Sequence, residues 1–330
     1  MKLASFFTGA GGLDLGFEKA GFKIIYANEN DKKIFDTFEK NFPETKLDKR
    51  SITKVESDDV PDCDGIIGGP PCQSWSEAGA LRGIKDLRGQ LFFDFIRIIR
   101  DKQPKFFLAE NVSGMLAARN AHALKGIIDL FKNCGYEVSY KLLNVSDYGI
   151  PQDRKRVIFV GIRCDLNTKF IFPKTITSLD EDKVTLKDCI SDLASNAIPA
   201  QTKNYANNGK CKVLNHEYMI GSFSPIYMSR NRVRPWNRVS FTIQAGGRHA
   251  PIHPQAPEMV HVGKNKKIFK KGSESSYRRL SVRECARIQT FPDDYEFIYD
   301  NVTDGYKMIG NAVPVDFAQI LANQLKLVLK

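Results

Sequence analysis

A cysteine behind two consecutive prolines is the feature of this chain that most directly indicates chemistry. Cys72 follows Pro70 and Pro71 at the end of the apolar run 64–69. The prolines fix φ at two successive positions and remove two backbone donors, which holds the cysteine in one place. A thiolate held in this way can attack a positioned atom. The alternative is a small buried cysteine without reactivity, which is the commoner case for a free cysteine considered alone.

A glycine-rich turn indicates a nucleoside-type ligand. Gly9, Gly11 and Gly12 lie between a predicted strand and a predicted helix, where they let backbone approach a ligand and leave helix amides free. The pattern departs from the dinucleotide motif GxGxxG because Asp14 replaces its last glycine. Glu29 ends the next predicted strand, where a carboxylate can accept both hydroxyls of a ribose. The alternative is that Glu29 caps the helix that follows it.

The elements that must position these residues alternate in the first half of the chain. Short apolar runs are followed by amphipathic stretches, which is typical of βαβ units and a parallel sheet. The predicted strands are Leu3–Phe7, Lys23–Asn28, Gly65–Ile67, Phe106–Ala109, Tyr136–Asn144 and Val157–Arg163, the last two as an antiparallel pair. The predicted helices are Leu13–Ala20, Lys32–Asn41, Leu91–Arg100, Ala121–Cys134, Leu280–Gln289 and Asp316–Leu329.

Composition narrows the classes of partner. The 330 residues carry a formal net charge of +11, which favours a polyanionic partner, although many basic proteins bind nothing acidic. The 7 cysteines are scattered without a CxxC pair, which argues against a zinc site or a disulfide framework. The sequence lacks a signal peptide and a membrane-spanning stretch. We therefore expect a cytoplasmic protein with no metal and no membrane partner.

The composition changes after about Asp165. The segment 196–212 is rich in Asn, Lys and Gly, and the segment 228–257 is rich in Arg, Pro, His and Gly. Neither continues the strand and helix pattern, so we predict a second, loop-rich module with a basic surface. The predicted boundaries are 1–185 plus 300–330 for the first domain, 186–280 for the second, and 281–299 for a hinge between them.

Taken in order, the motifs of the chain resemble those of the cytosine carbon-5 DNA methyltransferases. The matching runs are Phe7–Leu13, Gly69–Ser74, Glu110–Val112, Gln152–Arg156, Arg279–Pro292 and Gly310–Pro314. The resemblance covers nearly the whole chain. More closely, the runs Cys63–Glu77, Met228–Arg234 and Asp304–Val315 resemble bacterial modification methyltransferases that recognise GGCC.

This resemblance implies a fold and a cofactor. The fold is α/β: a doubly wound, Rossmann-like methyltransferase domain with an inserted small recognition domain. The cofactor is S-adenosylmethionine. The implied cofactor-binding residues are Phe7, Thr8, Gly9, Ala10, Gly11, Gly12, Leu13, Glu29, Ser51, Ile52, Pro70, Asn311, Ala312 and Val313. Ser51 stands where the family places an acidic residue for the adenine amino group, and Asp48 comes two residues too early.

The resemblance also implies a mechanism. Cys72 is the nucleophile that attacks carbon 6 of cytosine, which activates carbon 5 toward the methyl group. Glu110 faces nitrogen 3 of the ring and supplies a proton there. Arg154 and Arg156 are assigned to the catalytic site, where they hydrogen-bond the base carbonyl, Glu110 or the backbone. Because the ring must be reached from its face, the base is flipped out of the duplex.

Three arginines are predicted to read the DNA. Arg230 and Arg232 alternate with other residues in an extended segment, and Arg248 follows two glycines that permit close approach. Bidentate arginine is the commonest reader of guanine in the major groove. Phosphate contacts are predicted for a lysine run, for which a solvated loop is an equal alternative. That run comprises Lys264, Lys266, Lys267, Lys270 and Lys271.

The prediction is therefore a monomeric enzyme that methylates duplex DNA, at GGCC, and protects it from a matching restriction enzyme. Two alternatives stay open. One is an enzyme of the same fold that methylates cytosine in RNA, such as transfer RNA. The other is a nucleic-acid-binding protein without catalytic activity, against which the presence of Cys72, Glu110 and Arg154 argues.

Overall fold

A computed structural model describes residues 1–71, 87–177, 179–207 and 209–329. The predicted nucleophile Cys72 lies outside the described residues. The chain forms two compact units. The first unit comprises 1–144, 155–174 and 315–330, and the second comprises 145–154 and 175–314.

A seven-stranded sheet organises the first unit, in the order β3-β2-β1-β4-β5-β7-β6. The strands are β1 (Lys2–Phe6), β2 (Lys23–Asn28), β3 (Lys46–Asp48), β4 (Gly65–Gly68), β5 (Phe106–Val112), β6 (Tyr136–Asn144) and β7 (Lys155–Arg163). Strands β1 to β5 pair in parallel, and β7 runs antiparallel to both β5 and β6. The predicted α/β class and the predicted antiparallel pair are confirmed. The central strand β4 is buried along its whole length, as a sheet covered on both faces requires.

The helices follow the predicted pattern at most positions. They are α1 (Gly12–Lys19), α2 (Phe35–Asn41), α3 (Leu87–Lys102), α4 (Ala121–Asn133), α5 (Leu186–Ile190), α6 (Val282–Ile288), α7 (Val302–Asn311) and α8 (Val315–Val328). The sequence prediction missed α5, α7 and the short strand β3. Helix α2 begins at Phe35, three residues later than predicted.

Within the first unit, helix α1 packs closely on helix α8. A Cβ on Gly16 of α1 would lie only 2.4 Å from the Cβ of Ala318 in α8, so the absence of a side chain allows the two helices to touch. Lys19 and Asp316 form an ion pair of 2.8 Å across the same contact. Helix α8 therefore packs on the helix that follows the first strand.

The second unit is built from short elements. Strands β8 (Ile198–Pro199) and β9 (Glu217–Tyr218) pair in parallel, and β10 (Val260–Gly263) and β11 (Lys266–Ile268) form an antiparallel hairpin. A small apolar cluster around Tyr227, Val233 and Ile252 fills part of its interior.

The two units do not have the boundaries that the sequence predicted. Residues 175–185 and 281–314 pack within the second unit, together with the short segment 145–154. Helices α6 and α7 pack on each other, and a Cβ on Gly305 would lie 3.1 Å from Val282. The functional division into a catalytic domain, a recognition domain and a hinge stays a prediction. In the described part of the chain, no helix is both long and apolar enough to cross a membrane.

Candidate functional site

Two predicted catalytic side chains meet in the first unit. Glu110 lies in β5 and Arg156 lies near the start of β7, and antiparallel pairing of these strands brings the side chains to one place. The Nε of Arg156 lies 2.7 Å from Oε1 of Glu110, and both side chains are largely buried. A Cβ on Gly69 would lie 3.6 Å from Oε2 of Glu110. The second carboxylate oxygen therefore faces the loop that leads to Cys72.

That loop is held by a residue that the sequence prediction did not single out. The side-chain amide of Asn111 donates a 2.9 Å hydrogen bond to the carbonyl oxygen of Pro70, and both residues are buried. The amide oxygen of Asn111 accepts from the backbone N–H of Val112 at 2.9 Å, which fixes the amide orientation. Asn111 thus ties the end of β5 to the residue two positions before Cys72. Its place directly after Glu110 is the sequence signal that could have identified it.

The glycine turn has the backbone conformation that a close ligand requires. Gly9 and Gly11 have φ of 56° and 74°, and Phe7 adopts φ of 55°, which is uncommon for a residue with a side chain. Among the described residues, no atom lies within 4 Å of the position that a Cβ on Gly9 would occupy. Such strained positions concentrate at binding sites, where the surrounding structure over-determines them.

Two carboxylates hold this turn. Asp14, fully buried in α1, accepts a 2.7 Å hydrogen bond from the hydroxyl of Thr8. Burial raises the pKa of Asp14 to about 6. Glu29 accepts from the backbone N–H of Gly9 at 3.0 Å through Oε2, and from Asn30 and Asp31 through Oε1. Burial also raises the pKa of Glu29. Glu29 therefore fixes the turn, and it does not cap α2, which begins at Phe35 with Ile34 as its N-cap.

The side chains near the predicted adenine site already have partners within the protein. The carboxylate of Asp48 accepts from Arg50 at 2.6 Å and from the hydroxyl of Tyr26 at 2.9 Å. The hydrogen bond from Arg50 is the main reason that the pKa of Asp48 falls to about 2. The hydroxyl of Ser51 accepts from the backbone N–H of Thr53 and so caps a short helical turn. Ile52 is 2% exposed and belongs to the apolar core of the first unit.

Arg154 is positioned differently from Arg156. It belongs to the second unit and is 1% exposed. Its guanidinium donates to the backbone carbonyl oxygens of Ile243, Gly310 and Ala312, at 2.9, 3.0 and 2.9 Å. The sequence left three possible partners for Arg154: the base carbonyl, Glu110 and the backbone. In the structure Arg154 binds the backbone. Next to its acceptors, Asn311 is exposed and Val313 is buried.

The predicted DNA-reading arginines lie in one region of the second unit. The guanidinium of Arg232 lies 4.6 Å from the ring centre of Tyr227 and donates to its carbonyl oxygen at 2.8 Å. Arg279 lies 5.9 Å from the same ring. Arg230 and Arg248 are exposed. Burial lowers the pKa of Arg232 and of Arg279, and the charges of Arg230 and Arg248 respectively add to that effect.

Comparison with known proteins identifies the family. Residues 1–327 match the family described as C-5 cytosine-specific DNA methylase. The chain is 58% identical to the Type II methyltransferase M.FnuDI of Fusobacterium nucleatum over 327 residues, which cover 99% of this chain and 94% of that protein. It is 56% identical to the Type II methyltransferase M.MthTI of Methanothermobacter thermautotrophicus over 326 residues, covering 99% and 97%.

The chain belongs to the C-5 cytosine-specific DNA methylases. The predicted enzyme class is confirmed, and the alternative of a catalytically silent binding protein is not favoured. Solved structures agree on the fold. A crystal structure of a protein encoded within an E. coli prophage superimposes with a TM-score of 0.76 at 24% identity, covering 100% of this chain and 99% of that one. Dnmt2 of S. pombe gives 0.65 at 16% identity, covering 100% and 98%.

Four residues of this methylase that lie in the quoted motifs, but to which the sequence reasoning assigned no role, are buried polar groups. Gln152, Gln289, Arg283 and Glu284 are fully buried in the second unit, and each hydrogen-bonds the protein. The motif Ser281–Glu284 has the spacing of a helix capping box, which was visible in the sequence and is formed at the start of α6. Among the described residues, no group of three or more His, Cys, Asp or Glu side chains could hold a metal ion.

Proposed function

We propose that this methylase transfers a methyl group from S-adenosylmethionine to carbon 5 of a flipped-out cytosine in duplex DNA, through a covalent bond to Cys72. The observation that carries the proposal is the Glu110–Arg156 pair, 2.7 Å apart, with the second carboxylate oxygen of Glu110 toward Gly69. Asn111 ties Pro70, two residues before Cys72, to the strand that carries Glu110. The loop and the carboxylate thereby have a common support.

In the proposed reaction each residue has a separate task. The thiolate of Cys72 bonds to carbon 6, and the displaced ring electrons make carbon 5 nucleophilic. Glu110 supplies a proton at nitrogen 3, and Arg156 orients the Glu110 carboxyl. Carbon 5 takes the methyl group and then loses its proton to water. Expulsion of the thiolate and return of the nitrogen-3 proton to Glu110 restore the aromatic ring. Arg154 acts through the backbone and has no direct contact with the base in this proposal.

The glycine turn fits S-adenosylmethionine. The space beside Gly9, which no described residue fills, and the left-handed conformations of Phe7 and Gly11 leave room and backbone donors for a ligand. The turn is already held by Glu29 and Asp14, so it is formed before a ligand binds. S-adenosylmethionine supplies an electrophilic methyl group on a sulfonium sulfur. We propose Phe7–Leu13, Glu29, Pro70 and Asn311–Val313 as the residues that hold it.

For the adenine ring of the cofactor, we propose binding by backbone groups and not by side chains. Asp48 is committed to Arg50 and Tyr26, and the Ser51 hydroxyl is committed to a helical cap. Ile52 has almost no free surface for a stacked ring. We therefore propose that Ser51 and Ile52 contact the adenine through backbone groups, which need no acidic side chain at position 51.

The proposed target is GGCC in a restriction-modification system. The relatives M.FnuDI and M.MthTI are Type II methyltransferases, and the resemblance to the GGCC subgroup supports the same class of role here. Arg230, Arg232 and Arg248 are the proposed guanine readers, because a guanidinium fork matches the N7 and O6 acceptors of guanine. The proposed recognition domain lies within 186–280, and the enzyme is proposed to act as a monomer.

Methyl transfer from labelled S-adenosylmethionine tests the proposal. Duplexes containing GGCC, duplexes containing CCGG and transfer RNA are compared for the parent, Cys72→Ser and the control Cys164→Ser, whose cysteine is exposed and outside the site. We expect label on the GGCC duplex alone, lost only in Cys72→Ser. Label on CCGG discards the target assignment and keeps the mechanism. Label on RNA alone, or label retained by Cys72→Ser, overturns the proposal.

A trapping experiment tests the covalent bond separately. A duplex carrying 5-fluorocytosine at the target position blocks loss of the carbon-5 proton, so the adduct to Cys72 accumulates. We expect a protein–DNA species that survives denaturing electrophoresis for the parent and Cys164→Ser. Absence of that species in an enzyme that still methylates normal GGCC contradicts the covalent mechanism.

A further inference from the structure

A relay of side-chain amides crosses the interior of the second unit. The backbone N–H of Ile243 donates to Oε1 of Gln152 at 2.8 Å, and Nε2 of Gln152 donates to Oε1 of Gln289 at 2.8 Å. Nε2 of Gln289 then donates to the carbonyl oxygens of Ile309 and Ala312, at 2.7 and 3.1 Å. A backbone N–H only donates and a carbonyl only accepts, so both amides have one permitted orientation. Both glutamines are fully buried.

Arg154 also connects Ile243 to the end of α7. Its guanidinium donates to the carbonyl oxygen of Ile243 at 2.9 Å, while the N–H of that residue is taken by the relay. It also donates to the carbonyl oxygens of Gly310 and Ala312, at 3.0 and 2.9 Å. Gln152, Arg154 and Gln289, which we term the polar clamp, thus hold both backbone groups of Ile243 against the carboxyl end of α7 and Ala312.

The segment after Ile243 carries a predicted DNA reader. A Cβ on Gly310 would lie 2.3 Å from the carbonyl of Gln244, so the two backbones are in direct contact. A Cβ on Gly247 would lie 2.7 Å from the ring of Tyr306 in α7. Arg248 follows Gly247 directly and is exposed. The reading segment and the end of α7 therefore pack as one body, with the predicted cofactor loop 311–313 as its continuation.

We propose that the polar clamp couples DNA binding to cofactor binding. Gln152, Arg154 and Gln289 are positioning residues: they join the segment that carries Arg248 to the loop Asn311–Val313, so that a ligand on one orders the other. The proposal rests on the proposed function, because it takes S-adenosylmethionine at Asn311–Val313 and duplex DNA at Arg248.

The physical reason is shared conformational entropy. A ligand that rigidifies a segment loses conformational entropy when it binds, and a second ligand that meets the same, already ordered segment loses less. The resulting coupling is reciprocal and is typically about 5- to 150-fold in affinity. A buried hydrogen-bond network rigidifies the segments that it joins, and so it can transmit such ordering from one to the other.

Binding without turnover tests the coupling. The dissociation constant of a GGCC duplex is measured with and without saturating S-adenosylhomocysteine, the unreactive product of methyl transfer. The variants are Arg154→Lys, which keeps the charge and loses the fork, and Gln289→Met, which keeps the volume and breaks the relay. The matched control is Arg283→Lys. Arg283 is equally buried in the second unit and donates to carbonyl oxygens of Leu214, Pro292 and Tyr295, outside the clamp.

We expect roughly 5-fold or greater coupling in the parent and in Arg283→Lys, falling below about 2-fold in both clamp variants. Coupling that survives in the clamp variants, that is equally lost in Arg283→Lys, or that is absent from the parent overturns the proposal. Failure of the parent to bind either ligand instead refutes the proposed function.

A second measurement on the parent requires no variant. S-adenosylhomocysteine alone is added, and amide hydrogen exchange is followed for residues 243–249. We expect slower exchange there and unchanged exchange in the hairpin β10–β11, which lies outside the clamp. Unchanged exchange at 243–249 overturns the proposal even if a clamp variant fails to fold.

Discussion

The two units of this methylase are stabilised in different ways. The first unit has a seven-stranded sheet and an apolar core in which Phe95, Phe107 and Ile127 have no exposed surface. The described part of the second unit has strands of two to four residues, and its interior contains the fully buried Arg283 and Glu284. The first unit satisfies its backbone with strand ladders, and the second uses charged side chains for the same purpose.

This difference follows from the hydrogen-bonding requirement of buried backbone. A carbonyl outside a helix or sheet still needs a donor when it is buried. A guanidinium has five N–H donors in a fixed plane, so one arginine can serve several loop carbonyls. Arg283 does this for Leu214, Pro292 and Tyr295. The first unit should therefore be sensitive mainly to changes of side-chain volume, and the second to changes of charge.

The largest effect is expected when one partner of a buried ion pair is removed. Glu284 is fully buried and accepts from both terminal nitrogens of Arg278, at 2.7 and 2.8 Å. Glu284→Leu leaves the Arg278 charge buried, so we expect the free energy of unfolding to fall by about 3–5 kcal/mol. Urea titration of purified variants measures it.

Ile127→Val in the core of the first unit is the comparison for that change. It removes one buried methylene, with an expected loss of about 0.5–1.5 kcal/mol. If Ile127→Val costs as much as Glu284→Leu, the contrast between the units is wrong.

The second effect is a pH dependence of opposite sign in the two units. Burial raises the pKa of Asp14 from 3.8 to about 6, so its stabilising contribution is full below pH 3.8 and is lost as pH rises through about 6. Burial lowers the pKa of His253 from 6.5 to about 4, so its contribution is full above pH 6.5 and is lost as pH falls through about 4.

Unfolding measured from pH 4 to pH 7 separates the two groups. Asp14→Asn should be more stable than the parent above pH 6, with a gain on the order of 2–3 kcal/mol. The parent loses stability as the pH falls from 6.5 to 4, and His253→Gln should remove that loss, which is of comparable size. Parallel pH profiles for the parent and both variants would contradict the opposite signs.

The third effect compares two glycines. At Gly310 a Cβ would lie 2.3 Å from backbone of Gln244, so Gly310→Ala must displace a loop, at a cost of about 1–3 kcal/mol. At Gly126, inside α4, the part of the chain that the structure describes has no atom within 4 Å of that position. Gly126→Ala should therefore stabilise the enzyme by about 0.5–1 kcal/mol through helix propensity. Thermal melting measures both changes, and the same sign for both would show that the packing argument is wrong.

The smallest effect concerns the lysines of the hairpin β10–β11. Lys264, Lys266 and Lys270 are exposed. If they bind phosphates, replacing all three by Gln should reduce the slope of log affinity against log salt by about 0.9 for each phosphate that is no longer neutralised. The control is Lys125→Gln with Lys132→Gln, on the exposed face of α4 in the first unit. Equal slopes for the parent and the triple variant would favour a solvated loop.

Local patterns in the sequence were sufficient to predict many of the strands and helices of the first unit. Strand β2 has the predicted bounds, Lys23–Asn28, and β6 has the predicted bounds, Tyr136–Asn144. Their apolar periodicity reflects burial against neighbouring elements. Strand β3 escaped prediction because its three residues are too few to show a period. Helix α7 escaped because loop-like residues surround it, although Asn301 supplies the side-chain cap that marks its start.

For the candidate site, too, some features were predictable from the sequence and others were not. The sequence alone determined which residue types are present and in which order, and these identified the family and left the base carbonyl, Glu110 and the backbone as possible partners of both Arg154 and Arg156. Only the tertiary structure decided which partner each polar group has. Arg154 and Arg156 are two residues apart, yet one donates to loop carbonyls and the other to Glu110. Residues two positions apart on one strand would point to the same face, but Arg154 precedes β7, which begins at Lys155, so the surrounding backbone determines the partner that each meets.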